Sequence, residues 1–311
     1  MSKKPSTHSP GEHFELIAAA FTPMKASGEL NTASIPKYFH WLQSEGLDGI
    51  FVCGSTGECP SLTVGERIKI AEAWLTARGA ARKFRIFIHV GHDCLSESRT
   101  LAKHAADIGA DAISSIAPSG FTPRTIDETL AHAAEVAAAA PRLPFYFYYI
   151  PSKTKVTLPM TQFVEAATAR IPNFAGVKFT HEDLGEFAEC LAVAGTRVQM
   201  LYGRDELLLP ALAAGANAAI GSTYNFAAPL FRKIIASFRN HNDALAREEY
   251  LRARKMIRAV VARGPLAGQK AAMNLLGLDC GPTRLPLKKA DSTEIRQLRS
   301  TLDSLGFHFR S

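Results

Sequence analysis

A lysine set in a short apolar run has the clearest chemical potential in this sequence. The run covers residues 172–180, and a two-residue period places Lys178 on the same face as Gly176 and Thr180. If the run is a strand buried on both sides, desolvation lowers the pKa of the lysine toward a neutral, nucleophilic amine. A neutral lysine can attack a carbonyl carbon and form a Schiff base. A lysine near a strand end can also extend to solvent, and the run alone leaves both interpretations open.

Other polar groups follow predicted strands. The turn at 54–57 (Gly-Ser-Thr-Gly) can aim the hydroxyls of Ser55 and Thr56 and backbone N–H groups at a carboxylate, or use its glycines for backbone shape alone. Tyr148 shares the inward side of an aromatic strand with Tyr146, as a catalytic or as a core residue. Ser222 could bind a substrate hydroxyl or cap the next helix.

The elements that position these residues alternate along the chain. Short apolar segments predict eight strands, at 14–21, 49–54, 84–90, 112–117, 144–150, the segment that carries Lys178, 198–202 and 218–223. Helical spacing predicts helices at 32–45, from about 63, and at 95–108, 126–139, 160–169, 182–194 and 205–214. Thr63 and Glu66 have the spacing of a capping box.

Eight strand–helix repeats predict a parallel sheet that closes into an α/β (β/α)8 TIM barrel, with an open doubly wound sheet as the alternative. Residues 14–225 supply the barrel, and 226–311 predict a C-terminal helical extension, with helices at 226–240, 243–262, 266–276 and 292–305. Residues 1–13 predict a flexible polar tail. Active sites of such barrels form at the carboxyl ends of the strands, where Lys178, Tyr148, Ser55 and Ser222 all fall.

Composition excludes several classes of protein. The 311 residues are 47% hydrophobic and 21% charged, which is typical of a globular protein. The net charge of +7 comes from scattered Lys and Arg residues without a nucleic-acid-binding motif, and no stretch is long enough to span a membrane. Five dispersed cysteines without CxxC spacing are typical of reduced thiols. We therefore expect a soluble, cytoplasmic protein that binds neither nucleic acid nor membrane.

One group of side chains raises the possibility of a metal site. His89, His92 and Cys94 follow the third predicted strand closely, but their spacing matches no closed zinc site. The alternative is that they pack the loop and cap a helix. A metal-dependent hydrolase or class II aldolase is thus a competing hypothesis, while the main one requires no metal or organic cofactor.

Four motifs taken together resemble one known family. Residues 54–58 (GSTGE), 148–151 (YYIP), 176–178 (GVK) and 221–225 (GSTYN) look like the dihydrodipicolinate synthase / N-acetylneuraminate lyase superfamily of Schiff-base aldolases, from about Phe14 to the C-terminus. Residues 201–203, 205–206, 221–225 and 281–287 resemble its lyase branch most. The resemblance implies a homotetramer and a class I aldolase that cleaves N-acetylneuraminate, a sialic acid, to N-acetylmannosamine and pyruvate.

The resemblance also implies roles for individual residues. Lys178 would form the Schiff base, Tyr148 would transfer the proton, and Ser55 and Thr56 would bind the pyruvate carboxylate. The sugar-binding part would be lined by Thr180, Gly203, Asp205, Glu206 and Ser222. Asp205 and Glu206 could equally be acidic residues favoured by the dipole of the helix that begins there.

Two positions depart from the family pattern. Lys153 stands where the lyases carry an apolar residue and the synthases an arginine that holds a second carboxylate. Residues 118–121 lack the tyrosine that many bacterial members extend across a subunit interface. Another pyruvate-dependent aldolase of the superfamily, synthase-like or specific for 2-keto-3-deoxy sugar acids, is therefore an alternative, and a non-catalytic sensor on the same barrel is a further one.

Overall fold

The computed structural model describes residues 13–307, and within that range eight strands close into a barrel in chain order. The strands are β1 Glu15–Ala19, β2 Gly49–Val52, β3 Arg85–His89, β4 Ala112–Ile116, β5 Phe145–Tyr149, β6 Phe174–Phe179, β7 Gln199–Tyr202 and β8 Ala218–Gly221. The pairing is parallel, as in β4 to β7. The predicted (β/α)8 barrel with C-terminal helices is confirmed, and the open-sheet alternative is wrong.

Twelve α-helices fall within the described range. They are α1 Ile35–Ser44, α2 Val64–Arg78, α3 Leu95–Asp107, α4 Ile126–Ala138, α5 Pro151–Thr154, α6 Met160–Arg170, α7 Leu184–Ala194, α8 Leu208–Ala213, α9 Tyr224–Arg239, α10 Asp243–Val261, α11 Ala267–Leu275 and α12 Ser292–Ser304. The short α5 was not predicted, because proline at its first position follows β5 with little sequence for a periodic signal. None of these helices is long and apolar enough to cross a membrane.

Contacts divide the chain into two compact units. The first comprises residues 13–15 and Ile86–Ile220, and the second comprises Leu16–Arg85 and residues 221–307. The division predicted from sequence, with a barrel at 14–225 and an extension from 226, stays a prediction. The tail predicted at 1–13 lies, apart from its last residue, outside the described residues.

The aromatic strands of the first unit show which face of each strand meets the helices. Phe147 of β5 packs on Phe163 of α6 with ring centroids 4.4 Å apart, and Phe179 of β6 packs on Phe187 of α7 at 5.4 Å. Because side chains alternate along a strand, the neighbours of Phe147 and Phe179 face the other side of the sheet. The helices therefore cover one face, and Lys178 lies on the opposite one.

Capping and one buried amide organise the second unit. The predicted capping box of α2 is present: the side chains of Thr63 and Glu66 each accept a hydrogen bond from the other residue's backbone N–H. Asn225 is fully buried and donates to the carbonyl oxygens of Ala19 (2.7 Å) and Ser222 (2.6 Å), while Tyr38 donates to its Oδ1 (2.5 Å). One side chain thus joins the ends of β1 and β8 to α1.

Candidate active site

Lys178 and Tyr148 form the centre of the candidate site in the first unit. Parallel pairing of β5 and β6 makes the two residues Cα partners, so their side chains leave the same face at the same level. Lys178 Nζ lies 4.0 Å from the centroid of the Tyr148 ring. Lys178 is 4% exposed and Tyr148 3%, so the lysine does not extend to solvent. A buried amine beside a phenol is suited to forming an imine and moving a proton next to it.

His89 packs against the same tyrosine, a contact that no local sequence pattern predicts. The side chain is 1% exposed, and its ring meets the Tyr148 ring edge-on with centroids 5.8 Å apart. From sequence, His89 is either a metal ligand or a residue that packs the loop, because only the order of the strands in the sheet, with β4 alone between β3 and β5, brings it near Tyr148. His89 shapes the surroundings of Tyr148 through this contact.

His92 and Cys94, the other residues of the candidate metal site, make local contacts within the loop that follows β3. His92 Nδ1 accepts a hydrogen bond from the Cys94 backbone N–H (2.9 Å), and the Cys94 thiol lies 3.2 Å from the Ser96 hydroxyl. Hydrogen bonding to Ser96 is the largest cause that lowers the pKa of the exposed Cys94 thiol. Among residues 13–307, no group of three His, Cys, Asp or Glu side chains is arranged to hold a metal ion.

Thr180 and Gly203 lie side by side beyond the ends of β6 and β7. A Cβ atom at Gly203 would lie 2.0 Å from Thr180 Oγ1, so only glycine leaves the hydroxyl room. That Oγ1 is buried and has no hydrogen-bond partner within the described part of the chain. A buried hydroxyl without a partner costs free energy that a bound ligand can recover, which fits the predicted contact with substrate.

Acidic residues after β7 are held by an arginine that the sequence analysis missed. Glu206 Oε1 accepts from Arg204 Nε (3.0 Å) and Nη2 (2.7 Å), and Arg204 Nη1 donates to Glu182 (2.8 Å). Asp205 is 6% exposed and begins a single 3-10 turn before α8. The Arg204 contacts fix the orientation of the Glu206 carboxylate, which the helix dipole alone would not do.

The Ser55–Thr56 turn, in the second unit, leaves its polar groups available. The flanking Gly54 and Gly57 are buried, whereas Ser55 and Thr56 are half-buried. Within residues 13–307, the hydroxyls and backbone N–H groups of Ser55 and Thr56 make no hydrogen bond, although the Ser55 carbonyl accepts from Glu58 (3.2 Å). Two hydroxyls and two amides without partners make a site that can accept an anion such as a carboxylate.

Ser222 follows β8 in the second unit and does not cap a helix. The N-cap of α9 is Thr223, which makes no side-chain cap bond, so the capping alternative for Ser222 is wrong. The Ser222 carbonyl accepts a hydrogen bond from the side-chain amide of Asn225, and this bond fixes the backbone at this position. The half-buried hydroxyl of Ser222 makes no hydrogen bond within the described range.

Lys153 lies on the short helix α5 and is exposed. It makes no ion pair among the described residues. An exposed lysine is compatible with a residue that plays no part in binding a neutral sugar tail, and its ammonium group can also pair with the carboxylate of an anionic substrate. Activity measurements with both classes of substrate distinguish these roles.

A closed (β/α)8 barrel with a buried lysine on its sixth strand and a tyrosine beside it can support the chemistry of a Schiff-base lyase. Residues 13–305 match the model of the dihydrodipicolinate synthetase family, and the chain belongs to this family.

Relatives and solved structures agree with this membership. The chain is 42% identical to the human N-acetylneuraminate lyase over 298 residues, which cover 94% of this chain and 92% of the human one. It superimposes on the N-acetylneuraminate lyase of Proteus mirabilis with a TM-score of 0.91 at 34% identity, covering 95% and 99% of the two chains. For the dihydrodipicolinate synthase of Cyanidioschyzon merolae, solved with lysine bound, the TM-score is 0.87 at 27% identity, covering 96% and 100%.

Proposed function

We propose that this chain is a class I aldolase that cleaves N-acetylneuraminate to N-acetylmannosamine and pyruvate. The observation that carries the proposal is the buried pair of Lys178 and Tyr148, with Nζ 4.0 Å from the ring centroid. The names of the relatives at about 40% identity support this substrate among those of the family.

The reaction uses Lys178 as the nucleophile. Its amine attacks the C2 ketone of the open-chain sugar acid, water leaves, and the protonated imine can accept an electron pair. Tyr148, with neighbouring hydroxyls, relays the proton of the C4 hydroxyl away as the C3–C4 bond breaks, passing on its own proton as it accepts this one, so that C4 becomes the aldehyde of the amino sugar. The bonding electrons pass to the imine and give an enamine. Protonation at C3 and hydrolysis then release pyruvate and the free amine.

The remaining residues bind the substrate in this proposal. Ser55 and Thr56 hold the carboxylate next to the ketone, and their hydroxyls and N–H groups, which have no hydrogen-bond partner in the described part of the chain, support this role. The polyhydroxylated tail is assigned to Thr180, Gly203, Asp205, Glu206 and Ser222. The chemistry requires no metal or organic cofactor, so activity should survive exhaustive treatment with EDTA.

The test is to measure product formation with three kinds of substrate. N-acetylneuraminate should release pyruvate, detected by coupled oxidation of NADH. Other 2-keto-3-deoxy sugar acids, and pyruvate with aspartate semialdehyde, should react more slowly. Turnover of aspartate semialdehyde but not of N-acetylneuraminate would replace the lyase assignment with the synthase-like alternative. No turnover of any of them would favour a non-catalytic binding protein.

We further propose a homotetramer in the cytoplasm. The family resemblance supports the assembly, and light scattering at micromolar concentration should give four times the chain mass. Five dispersed cysteines, none of which forms a disulfide within residues 13–307, support a reducing compartment. Localisation of a tagged full-length chain by fluorescence would test the second statement.

A further inference from the structure

The Ser55–Thr56 turn lies between two residues with unusual backbone conformations. Cys53 has φ 56° and Glu58 has φ 60°, both in the left-handed region that side chains other than glycine rarely adopt. Such conformations persist only where the surrounding contacts determine them. The contacts of Cys53 and Glu58 therefore decide how Ser55 and Thr56 are presented.

A buried ion pair holds the far end of the turn. Glu58 Oε1 lies 2.6 Å from Lys270 Nζ of α11, and the side chains are only 1% and 3% exposed. Glu58 Oε2 accepts a hydrogen bond from the Arg284 backbone N–H (2.9 Å), and Lys270 Nζ also donates to the Pro282 carbonyl (2.9 Å). Glu58 is thus fixed by two segments that lie more than two hundred positions away in the sequence.

The near end of the turn is held in a similar way. Arg67 of α2 is 3% exposed and hydrogen bonds to the Cys53 thiol, and burial raises the pKa of that thiol to about 12. Inside the turn, a Cβ at Gly57 would lie 3.2 Å from the Ala20 carbonyl oxygen, so the backbone has little room to shift. Both ends of the turn are therefore anchored by buried cations.

Stability alone is a weak explanation for the Glu58–Lys270 pair. Removing two charges from water costs about as much as their attraction returns, and apolar replacements of such pairs are often neutral or stabilising. A buried pair can instead select one conformation among several. Here that conformation is a strained turn whose Ser55 and Thr56 polar groups make no bonds within residues 13–307.

We propose that the Glu58–Lys270 ion pair is a positioning device that holds the Ser55–Thr56 turn in the conformation that binds the carboxylate of the keto acid. The proposal rests on the aldolase function proposed above. Glu58 and Lys270 are positioning residues and act through the turn. Their loss should weaken binding of a carboxylate-bearing ketone while leaving the reactivity of Lys178 intact.

The experiment compares two ketones that carry this group either as a carboxylate or as an uncharged methyl ester. Full-length protein is titrated with pyruvate or with methyl pyruvate, reduced with borohydride, and the fraction of labelled Lys178 is measured by mass spectrometry. Lys270→Met should raise the half-saturating concentration of pyruvate by about tenfold or more, the loss expected for a charge-assisted hydrogen bond, and that of methyl pyruvate by less than about twofold. Glu58→Gln should show the same selectivity.

Two further variants separate positioning from folding. Glu249→Gln breaks a partly buried ion pair with Lys233 in the helical extension without touching the turn, and should leave both titrations unchanged. Glu58→Gln/Lys270→Met leaves no unpaired buried charge, so it should regain thermal stability relative to Lys270→Met. The double variant should nevertheless still bind pyruvate weakly.

The outcomes are distinct. Equal losses for pyruvate and methyl pyruvate, or a folded double variant that binds pyruvate as the wild type does, would overturn the positioning role. A wild-type protein that does not trap pyruvate at Lys178 would be a different result, because it concerns the wild type and not the variants. That result would refute the aldolase function and with it the carboxylate-binding role of the turn.

Discussion

Two regions of the molecule present reactive or binding groups by different physical means. Lys178 and Tyr148 are placed by the register of neighbouring parallel strands, in which each side chain follows from the backbone ladder. The turn that carries Ser55 and Thr56 depends instead on left-handed residues held by side chains from α2 and α11 and by a backbone N–H of the segment after α11. The position of the Lys178–Tyr148 pair therefore follows from the barrel fold itself, whereas the Ser55–Thr56 turn requires specific residues that are distant in sequence.

The largest expected effect comes from removing the nucleophile. Lys178→Ala should abolish measurable turnover of N-acetylneuraminate, because it removes the amine that forms the imine. Since strand register does not depend on this side chain, the circular dichroism spectrum should be unchanged. Lys103→Ala, which removes an exposed lysine of α3, is the control and should keep wild-type activity. Substantial turnover by Lys178→Ala would contradict the mechanism.

Removing the phenol of Tyr148 should have the next largest effect. Tyr148→Phe should lower kcat by roughly 10² to 10⁴-fold, the usual contribution of a proton-transfer group, while Lys178 still traps pyruvate. Tyr149→Phe is a matched control, because Tyr149 faces the other side of β5 and packs on Phe179. If both variants lost activity equally, the hydroxyl of Tyr148 would have no special role.

Stability should depend on the segment that anchors the turn. Arg284 donates to both carboxylate oxygens of Glu66 (2.5 and 2.9 Å), and this pairing lowers the pKa of Glu66 from 4.5 to about 2. A carboxyl group whose pKa is lower in the folded than in the unfolded state stabilises the fold at any pH above its unfolded-state pKa. That stabilisation is lost as the pH falls toward its folded-state pKa. Because the pair is partly exposed, solvent screening makes its contribution smaller than the full pKa difference implies. Arg284→Ala should therefore lower the free energy of unfolding by about 2 kcal/mol at pH 7.

Urea unfolding of wild type and Arg284→Ala from pH 7 to pH 3.5 checks the direction in which this stabilisation changes with pH. The difference between the two proteins should be constant above about pH 5 and shrink as the pH falls below about 4.5. A difference that grew on acidification would show that Glu66 does not pair with Arg284 in solution.

The smallest effect is expected at Lys153. Lys153→Leu should change kcat/KM for N-acetylneuraminate by less than about threefold, because an exposed lysine without an ion pair adds little to binding a neutral tail. If the physiological substrate carries a second carboxylate, the loss should instead be roughly ten- to a hundredfold with that substrate. Measuring both substrates with both proteins distinguishes the cases.

The sequence was informative where a local period determines the outcome. Alternation along two strands correctly placed Lys178 and Tyr148 on one face, and eight strand–helix repeats predicted the closed barrel. It could not reveal that Lys270 pairs with Glu58 or that Arg204 holds Glu206, because a charged residue in a helix or loop reads as a solvated one. Which charges are buried together depends on packing between distant segments, and a single sequence carries no local signal for it.

Site-specific trapping of pyruvate tests the central claim most directly. The protein is incubated with pyruvate, reduced with borohydride, digested and mapped by tandem mass spectrometry, with Lys178→Arg as the control. The account predicts one pyruvate-derived adduct, on the peptide that contains Lys178, and no adduct in the variant. An adduct on another lysine, equal labelling of the variant, or no adduct in the wild type would contradict it.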